Sequence, residues 1–290
     1  MKIIQSYAHF DEGTPRLDNI DNREKVNFNF YSFILSYLTL KKYYGHVTMY
    51  CNKRAVDVVV KYIPYDKVVI AENKNTTLFW SFYKVDTIRR MTEDFIHVDS
   101  DVFIFADLFS KFISSKEYNL IVQNQIPKEI NYVNNYVSQY KEFLKNNNVF
   151  NPDLYDGRCL SCGTIGMRKE LVKGYVKMCD AMKKEFIDTK FTDNFFIGMA
   201  CEELALYLYS LENNLNFCEI LPYEDVLKYG ERGAGNYHNY THMYLGSKFN
   251  PKYVKLIRNK ILKDFPEQLG LVERYEKEMM KNTGLLELIS

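Results

Sequence analysis

Four short runs of β-branched, aromatic and aliphatic residues, separated by longer helix-like segments, restrict this chain to a small set of folds. The runs are Lys2–Ser6, His46–Cys51, Lys67–Ala71 and Phe95–Val98. Each is only four to six residues long, which marks a strand rather than a buried helix. Between them, Val26–Tyr44, Arg54–Tyr62 and Leu78–Met91 read as helices, the first stopped by Gly45. This βαβαβαβ rhythm predicts an α/β fold, with a mostly parallel sheet, right-handed crossovers and helices on both faces. Ligands of such sheets bind beyond the carboxyl ends of the strands.

The second half is less regular. Asn119–Gln123, Leu160–Met167, Phe217–Leu221 and Tyr240–Leu245 read as strands, and Tyr132–Leu144, Lys169–Phe186 and Glu202–Glu212 as helices. Glu224–Asn239 is rich in glycine and charge and reads as a flap. Its Gly230–Gly235 stretch fits neither a dinucleotide fingerprint nor a P-loop. From Pro251 the chain reads as two charged amphipathic helices. The expected organisation is one large domain over residues 1–250 with a helical extension over 251–290 packed on it.

A formal charge of +1 over 290 residues gives no global field toward nucleic acid or an anionic bilayer. The 24 tyrosines and 20 phenylalanines suit sugar faces, although a biased genome produces the same excess. Six cysteines include Cys159-Leu-Ser-Cys162, which lacks the second pair or histidine of a zinc site and sits in an apolar run. Buried free thiols and a reducing compartment are therefore expected. The first strand starts beside Met1, leaving no room for a signal peptide, and no apolar run reaches the roughly 18–20 residues of a membrane span. A cytoplasmic location is expected.

Chemistry concentrates in Asp94-Phe-Ile-His-Val-Asp-Ser-Asp-Val-Phe-Ile-Phe105. Asp99 and Asp101 interrupt an apolar stretch directly after a strand, where carboxylates are costly unless paired or bound to a cation. Mn²⁺ and Mg²⁺ take oxygen ligands, commonly one or two carboxylates together with substrate phosphates. The pair is thus a cradle for a metal-bound diphosphate, with Ser100 between the ligands as a donor contact. The alternative is a solvated turn capped by aspartate.

With the preceding Leu78-Phe-Trp-Ser-Phe-Tyr-Lys84, this segment resembles the GT-A (Rossmann-like) glycosyltransferases, most closely their family 8, glycogenin- and galactosyltransferase-like branch. The resemblance covers roughly residues 1–250. It implies a UDP-sugar donor, uracil near Gln5 and Tyr7, and Lys84 approaching the donor diphosphate. Leu160-Ser-Cys-Gly-Thr-Ile-Gly-Met167 is similar to the family's N-x-G strand under the sugar, with Gly163 in the motif and Ser161 where asparagine is usual. Cys201-Glu-Glu-Leu-Ala-Leu206 resembles the acidic helix start beside the reacting carbon. Glu202 and Glu203 are adjacent, so one of them is expected to face the site.

His242-Met-Tyr-Leu-Gly-Ser-Lys248 resembles the late H-x-x-G-x-x-K motif, here spaced H-x-x-x-G-x-K. By that likeness His242 completes the metal shell, with His238 as competitor, and Gly246 and Lys248 meet the diphosphate. His9, His46 and His97 are not expected to be catalytic. The resemblance implies a hexosyl transfer that retains configuration; in an inverting enzyme Glu202 or Glu203 would instead deprotonate the acceptor. A glycan or lipid-linked hydroxyl is the expected acceptor. A nucleotidyltransferase or phosphatase using the same aspartates, and a non-catalytic nucleotide-sugar or carbohydrate-binding scaffold, are the competing readings. Against a nucleotidyltransferase, the loop Ala8–Arg16 has one glycine and one arginine.

Overall fold

The computed structural model describes residues 1–9, 22–72, 79, 81–129, 138–143, 145–146, 151–188, 194–221, 239–243 and 250–282. The expected alternation is present as β1 (Lys2–Tyr7), α1 (Asn22–Tyr44), β2 (Val47–Cys51), α2 (Lys53–Val58), β3 (Lys67–Ile70), α3 (Phe82–Ile88) and β4 (Phe95–Val98). A short β5 (Val102–Ile104) and α4 (Ser110–Ser114) follow, then β6 (Leu120–Ile126) and β7 (Cys159–Met167). The remaining elements are α5 (Val172–Asp188), α6 (Asn194–Met199), α7 (Ala205–Glu212), β8 (Phe217–Glu219), β9 (Tyr240–His242), α8 (Pro251–Asp264) and α9 (Leu269–Asn282).

Seven strands form one sheet in the order β3-β2-β1-β4-β7-β6-β8, while β5 and β9 make a separate antiparallel pair. The pairs β1–β2, β1–β4, β2–β3 and β6–β8 are parallel. Only β7 runs the other way, antiparallel to both β4 and β6. The fold is α/β with a mostly parallel central sheet, and the reversal of β7 is the departure from a uniform sheet.

Alternating residues of the strands face opposite layers. Ile4, Phe95 and Ile165 join a core with α3, α5, α6 and α7, whereas Ile3, Ile96 and Val98 join one with α1, β5, α8 and α9. From Phe28 to Leu40, α1 is buried on every side. Its polar residues survive there because they are paired. Asn29 Nδ2 donates to Tyr7 Oη (2.8 Å), and the Ser32 and Thr39 hydroxyls donate to the Asn29 and Ser36 carbonyls.

Several boundaries differ from expectation for local reasons. The Arg54–Tyr62 helix breaks at Val59 (φ −137°) into a 3₁₀ turn over Val60–Tyr62. Val58, Val59 and Val60 are consecutive β-branched residues, which crowd a helical turn. The helix around Glu202 starts earlier, at Asn194, and passes through a π turn over Ala200–Leu204 before α7. The last strand stops pairing at His242 and belongs to the small ribbon rather than the main sheet.

The two C-terminal helices share the core of α1. Tyr275 stacks on Phe30 with ring centroids 3.7 Å apart, and its hydroxyl donates to Asn27 Oδ1 (2.9 Å). Ile257, Ile261 and Val272 are buried in the same cluster. All six cysteines are buried free thiols. Among the described residues no helix is long and apolar enough to cross a membrane.

Candidate metal and donor site

β4 is buried along its whole length and ends at Val98. The chain then turns, with Val102 N donating to Asp99 O (3.0 Å), and continues into β5. Asp99, Ser100 and Asp101 therefore occupy the carboxyl end of the central strand. β9 pairs with β5 so that His242 lies opposite Val102, and Met243 N donates to Asp101 O (3.0 Å). Residues far apart in the chain are thereby brought together: His242 Nε2 is 3.4 Å from Asp101 Oδ1. One ligand atom from each of Asp99, Asp101 and His242 lies within 4.8 Å of the others.

Those donors fit a small divalent cation. Two ligands each about 2.1 Å from an ion stand about 3 Å apart when adjacent and about 4.2 Å when opposite. Two carboxylates and an imidazole suit Mn²⁺ or Mg²⁺, the imidazole favouring Mn²⁺, and leave positions for substrate oxygens.

Behind the aspartates lies a buried lysine. Lys84 on α3 places Nζ 2.8 Å from Asp99 Oδ1, in an ion pair with Glu202 Oε1, and 2.9 Å from the Cys162 carbonyl oxygen. Three protein oxygens surround the ammonium. Lys84 is thus turned toward the carboxylates. The π turn aims Glu202 inward, where it is 3% exposed, while its neighbour Glu203 is half-buried.

Burial opposes charge throughout this cluster, and neighbouring charges decide the balance. It pushes Glu202 up to about 7, against the pull of Lys84. Asp99 is also raised, first by desolvation and then by Asp101, with Lys84 and His242 pulling it back. For Lys84 the desolvation is outweighed by Asp99 and Glu202, so it stays protonated. His97 is fully buried, with Nε2 hydrogen-bonded to Ser6 Oγ (2.8 Å). Burial and Lys84 hold its pKa well below the ordinary imidazole value. Its Nδ1 lies 3.7 Å from Asp99 Oδ1.

The other predicted donor contacts separate into groups. Gln5 is fully buried: its amide donates to Ser36 Oγ (2.8 Å) and its oxygen accepts from Tyr65 Oη (3.0 Å). It braces the sheet end inside the core. Tyr7 lies at the carboxyl end of β1 with its hydroxyl bonded to Asn29 and His9 (2.8 and 2.9 Å). Ser100 is buried in the turn. Gly163 is on β7, and its carbonyl accepts from Asp99 N (2.8 Å). Gly246, Lys248, His238 and the Gly230–Gly235 stretch lie outside the described residues.

Gln123 and Tyr240 also contribute, and no sequence motif marks either of them. Gln123 on β6 accepts hydrogen bonds through Oε1 from Tyr240 Oη (3.0 Å) and His242 Nδ1 (2.8 Å). The β6–β7 register shifts at this point, from Val122↔Ile165 to Asn124↔Ser161, so Cys162, Gly163 and Thr164 together face Gln123. Such irregularities re-aim side chains. A Cβ on Gly163 would collide with Gln123 Oε1 and His242 Nδ1. The glycine is required by this close approach. Within the strand pattern, Gly163 was the only signal of it.

A family-wide sequence profile described as "Family of unknown function (DUF6734)" matches residues 1–274. No curated protein matches the sequence. Among solved structures, the chain is similar to a glycosyltransferase involved in the glycosylation of the major capsid of PBCV-1, at 11% identity and a TM-score of 0.42, over 89% of this chain and 99% of that one. It is also similar to the apo form of mouse xyloside xylosyltransferase 1, at 10% identity and a TM-score of 0.39, over 83% of this chain and 96% of that one. At these scores neither neighbour assigns an activity or a residue to this chain.

Proposed function

The chain belongs to the DUF6734 family, described as of unknown function, so its chemistry is read from its own residues, and we propose that it is a divalent-cation-dependent glycosyltransferase. The reading rests on one observation: Asp99, Asp101 and His242 converge at the carboxyl end of the central strand, backed by the Lys84–Glu202 pair. We take residues 1–250 as a GT-A transferase unit and residues 251–290 as a helical extension on it. The donor is a nucleoside-diphosphate hexose, UDP by the motif resemblance, and the acceptor a glycan or lipid-linked hydroxyl.

In this reaction the bond from the anomeric carbon to the diphosphate oxygen breaks and a bond to the acceptor oxygen forms. The acceptor proton leaves with the departing diphosphate. A bound Mn²⁺ or Mg²⁺ would supply Lewis-acid neutralisation of the negative charge that grows on that leaving group. Asp99, Asp101 and His242 hold the ion. Lys84 holds Asp99 and Glu202 in place and pulls both back toward the ionised form against the cost of burial. Glu202, the acidic residue turned inward, opposes the positive charge that develops on the sugar. Retention of configuration follows the family 8 likeness, with Glu202 acting through its charge.

Titration calorimetry of the purified chain with MnCl₂ and UDP tests the reading. Uptake of manganese together with UDP, abolished in Asp101→Ala, is the expected result. No uptake with any nucleoside diphosphate overturns it. A panel of UDP-sugars then separates transfer from binding alone, which would identify a scaffold, and pyrophosphate formation from a nucleoside triphosphate would identify a nucleotidyltransferase.

A further inference from the structure

His242 reaches the aspartates from a strand outside the main sheet, so something must fix the direction of its ring. The imidazole lies over β7 at Gly163, in the gap left by the missing Cβ. Its Nδ1 is 2.8 Å from Gln123 Oε1, an atom with no proton to donate. The hydrogen bond therefore needs the proton on Nδ1. Tyr240 Oη also donates to Gln123 Oε1 at 3.0 Å, and must then accept from Thr164 Oγ1, 3.0 Å away. The relay runs in one direction: Thr164 to Tyr240 to Gln123, which receives His242 from the other side. Thr164, Tyr240 and Gln123 are all buried.

We propose that Gln123 is the positioning residue of this site: its carboxamide oxygen holds His242 as the Nδ1–H tautomer and turns the Nε2 lone pair toward Asp101. This rests on the metal-site reading above and extends it to the layer behind the ligands. With the proton on Nδ1, two electron-rich atoms, Nε2 and Asp101 Oδ1, face each other at 3.4 Å. A cation or a second proton between them makes that arrangement favourable. Partners of this kind fix the tautomer and orientation of a ligating histidine, and losing one costs about 10–100-fold in metal affinity. The irregular β6–β7 register is what brings Gln123, Gly163 and Thr164 to one place.

Gln123→Met preserves side-chain length but removes the acceptor, and Gln123→Glu restores an acceptor oxygen. Two measurements read the outcome on the whole chain. Imidazole ¹⁵N shifts, with His242 assigned by its absence in His242→Ala, report the tautomer without any metal. Manganese calorimetry reports affinity. The wild type is expected to carry the Nδ1 proton, and Gln123→Met to lose that preference and bind Mn²⁺ about 10–100-fold more weakly. Gln123→Glu is expected to keep the tautomer, and it is the informative variant if Gln123→Met does not fold.

An Nε2-protonated neutral His242 in the wild type, or an unchanged tautomer and manganese affinity in Gln123→Met, overturns the proposal. A wild type that binds no manganese sinks the functional reading instead, and the nitrogen shifts still decide the role of Gln123.

Discussion

Lys84 Nζ and Asp99 Oδ1 stand 2.8 Å apart inside the protein, and Glu202 shares the same ammonium. Lys84 thus stabilises the site by holding two buried carboxylates. Removing it with Lys84→Met leaves Asp99 and Glu202 without their counterion. Breaking a buried pair from one side costs about 3–5 kcal/mol, because the remaining charge is uncompensated. Urea unfolding of the metal-free protein is expected to show a loss of that order. Adding Glu202→Gln is expected to recover part of it, since the second change removes one of the stranded charges. Additive losses in the double variant would show that the two side chains do not interact.

The aspartate pair was legible because two carboxylates stand out after a short, fully buried strand, and strand ends are where α/β folds bind ligands. The first four strands were legible for a similar reason: period and length agree locally. What escaped depends on registers between distant strands. Nothing local marks β7 as reversed, since an antiparallel buried strand and a parallel one both read as continuous apolar runs. Gln123 lay unnoticed within the run Asn119–Gln123, because its role comes from an irregular pairing with residues about forty positions away. Sequence does not tell Glu202 from Glu203; in the π turn Glu202 is buried and paired with Lys84, and Glu203 is half-buried. The buried contacts of Lys84 with Asp99 and Glu202 were not legible either, since a helical lysine carries no mark of which way its tip is drawn.

Gly163→Ala tests the tight approach of β7 to His242. The new methyl group would overlap His242 Nδ1 and Gln123 Oε1, so the imidazole must move or the strand must shift. Overpacking of this kind costs about 1–3 kcal/mol. Manganese affinity, measured by calorimetry, is expected to fall by more than the thermal midpoint suggests, because the displaced atom belongs to a ligand. An unchanged affinity would place the ion elsewhere.

Stability should depend on pH in two opposite ways. Burial raises Asp94, but Lys169 N–H and Arg168 more than offset it, and the folded pKa lies below the ordinary carboxylate value. Its contribution is fully present above the unfolded pKa and is lost as pH falls through the folded one. Glu202 has the reverse sign. Burial raises it from 4.5 to about 7, so the unfolded chain releases this proton first and the metal-free protein loses stability as pH rises across that window. Denaturation midpoints from pH 2 to 8 are expected to show Asp94→Asn flattening the acid limb. Glu202→Gln is expected to remove the decline toward neutrality, and a decline that persists in it must come from another group.

The C-terminal helices are expected to be part of the cooperative fold and not a detachable tail. Tyr275 on α9 is fully buried, stacked on Phe30 of α1, and bonded to Asn27 Oδ1 at 2.9 Å. Next to it, Glu276 accepts from Arg258 Nε (2.5 Å) and from Tyr31 Oη (2.6 Å), which ties α9 to both α8 and α1. Removing a buried aromatic leaves a cavity that neighbouring rings cannot fill, at a cost of about 3–5 kcal/mol. Tyr275→Phe keeps the stack and loses one hydrogen bond, while leaving Asn27 partly exposed to water, so about 0.5–1.5 kcal/mol is expected. Chemical denaturation monitored separately by far-ultraviolet circular dichroism and by the imidazole ¹⁵N signal of His97, buried in β4, reads both effects. Coincident transitions, shifted together in Tyr275→Ala, mean that α8 and α9 unfold with the sheet. A separate early transition by circular dichroism alone would show that these helices melt by themselves, and the shared core around α1 would not be what holds them.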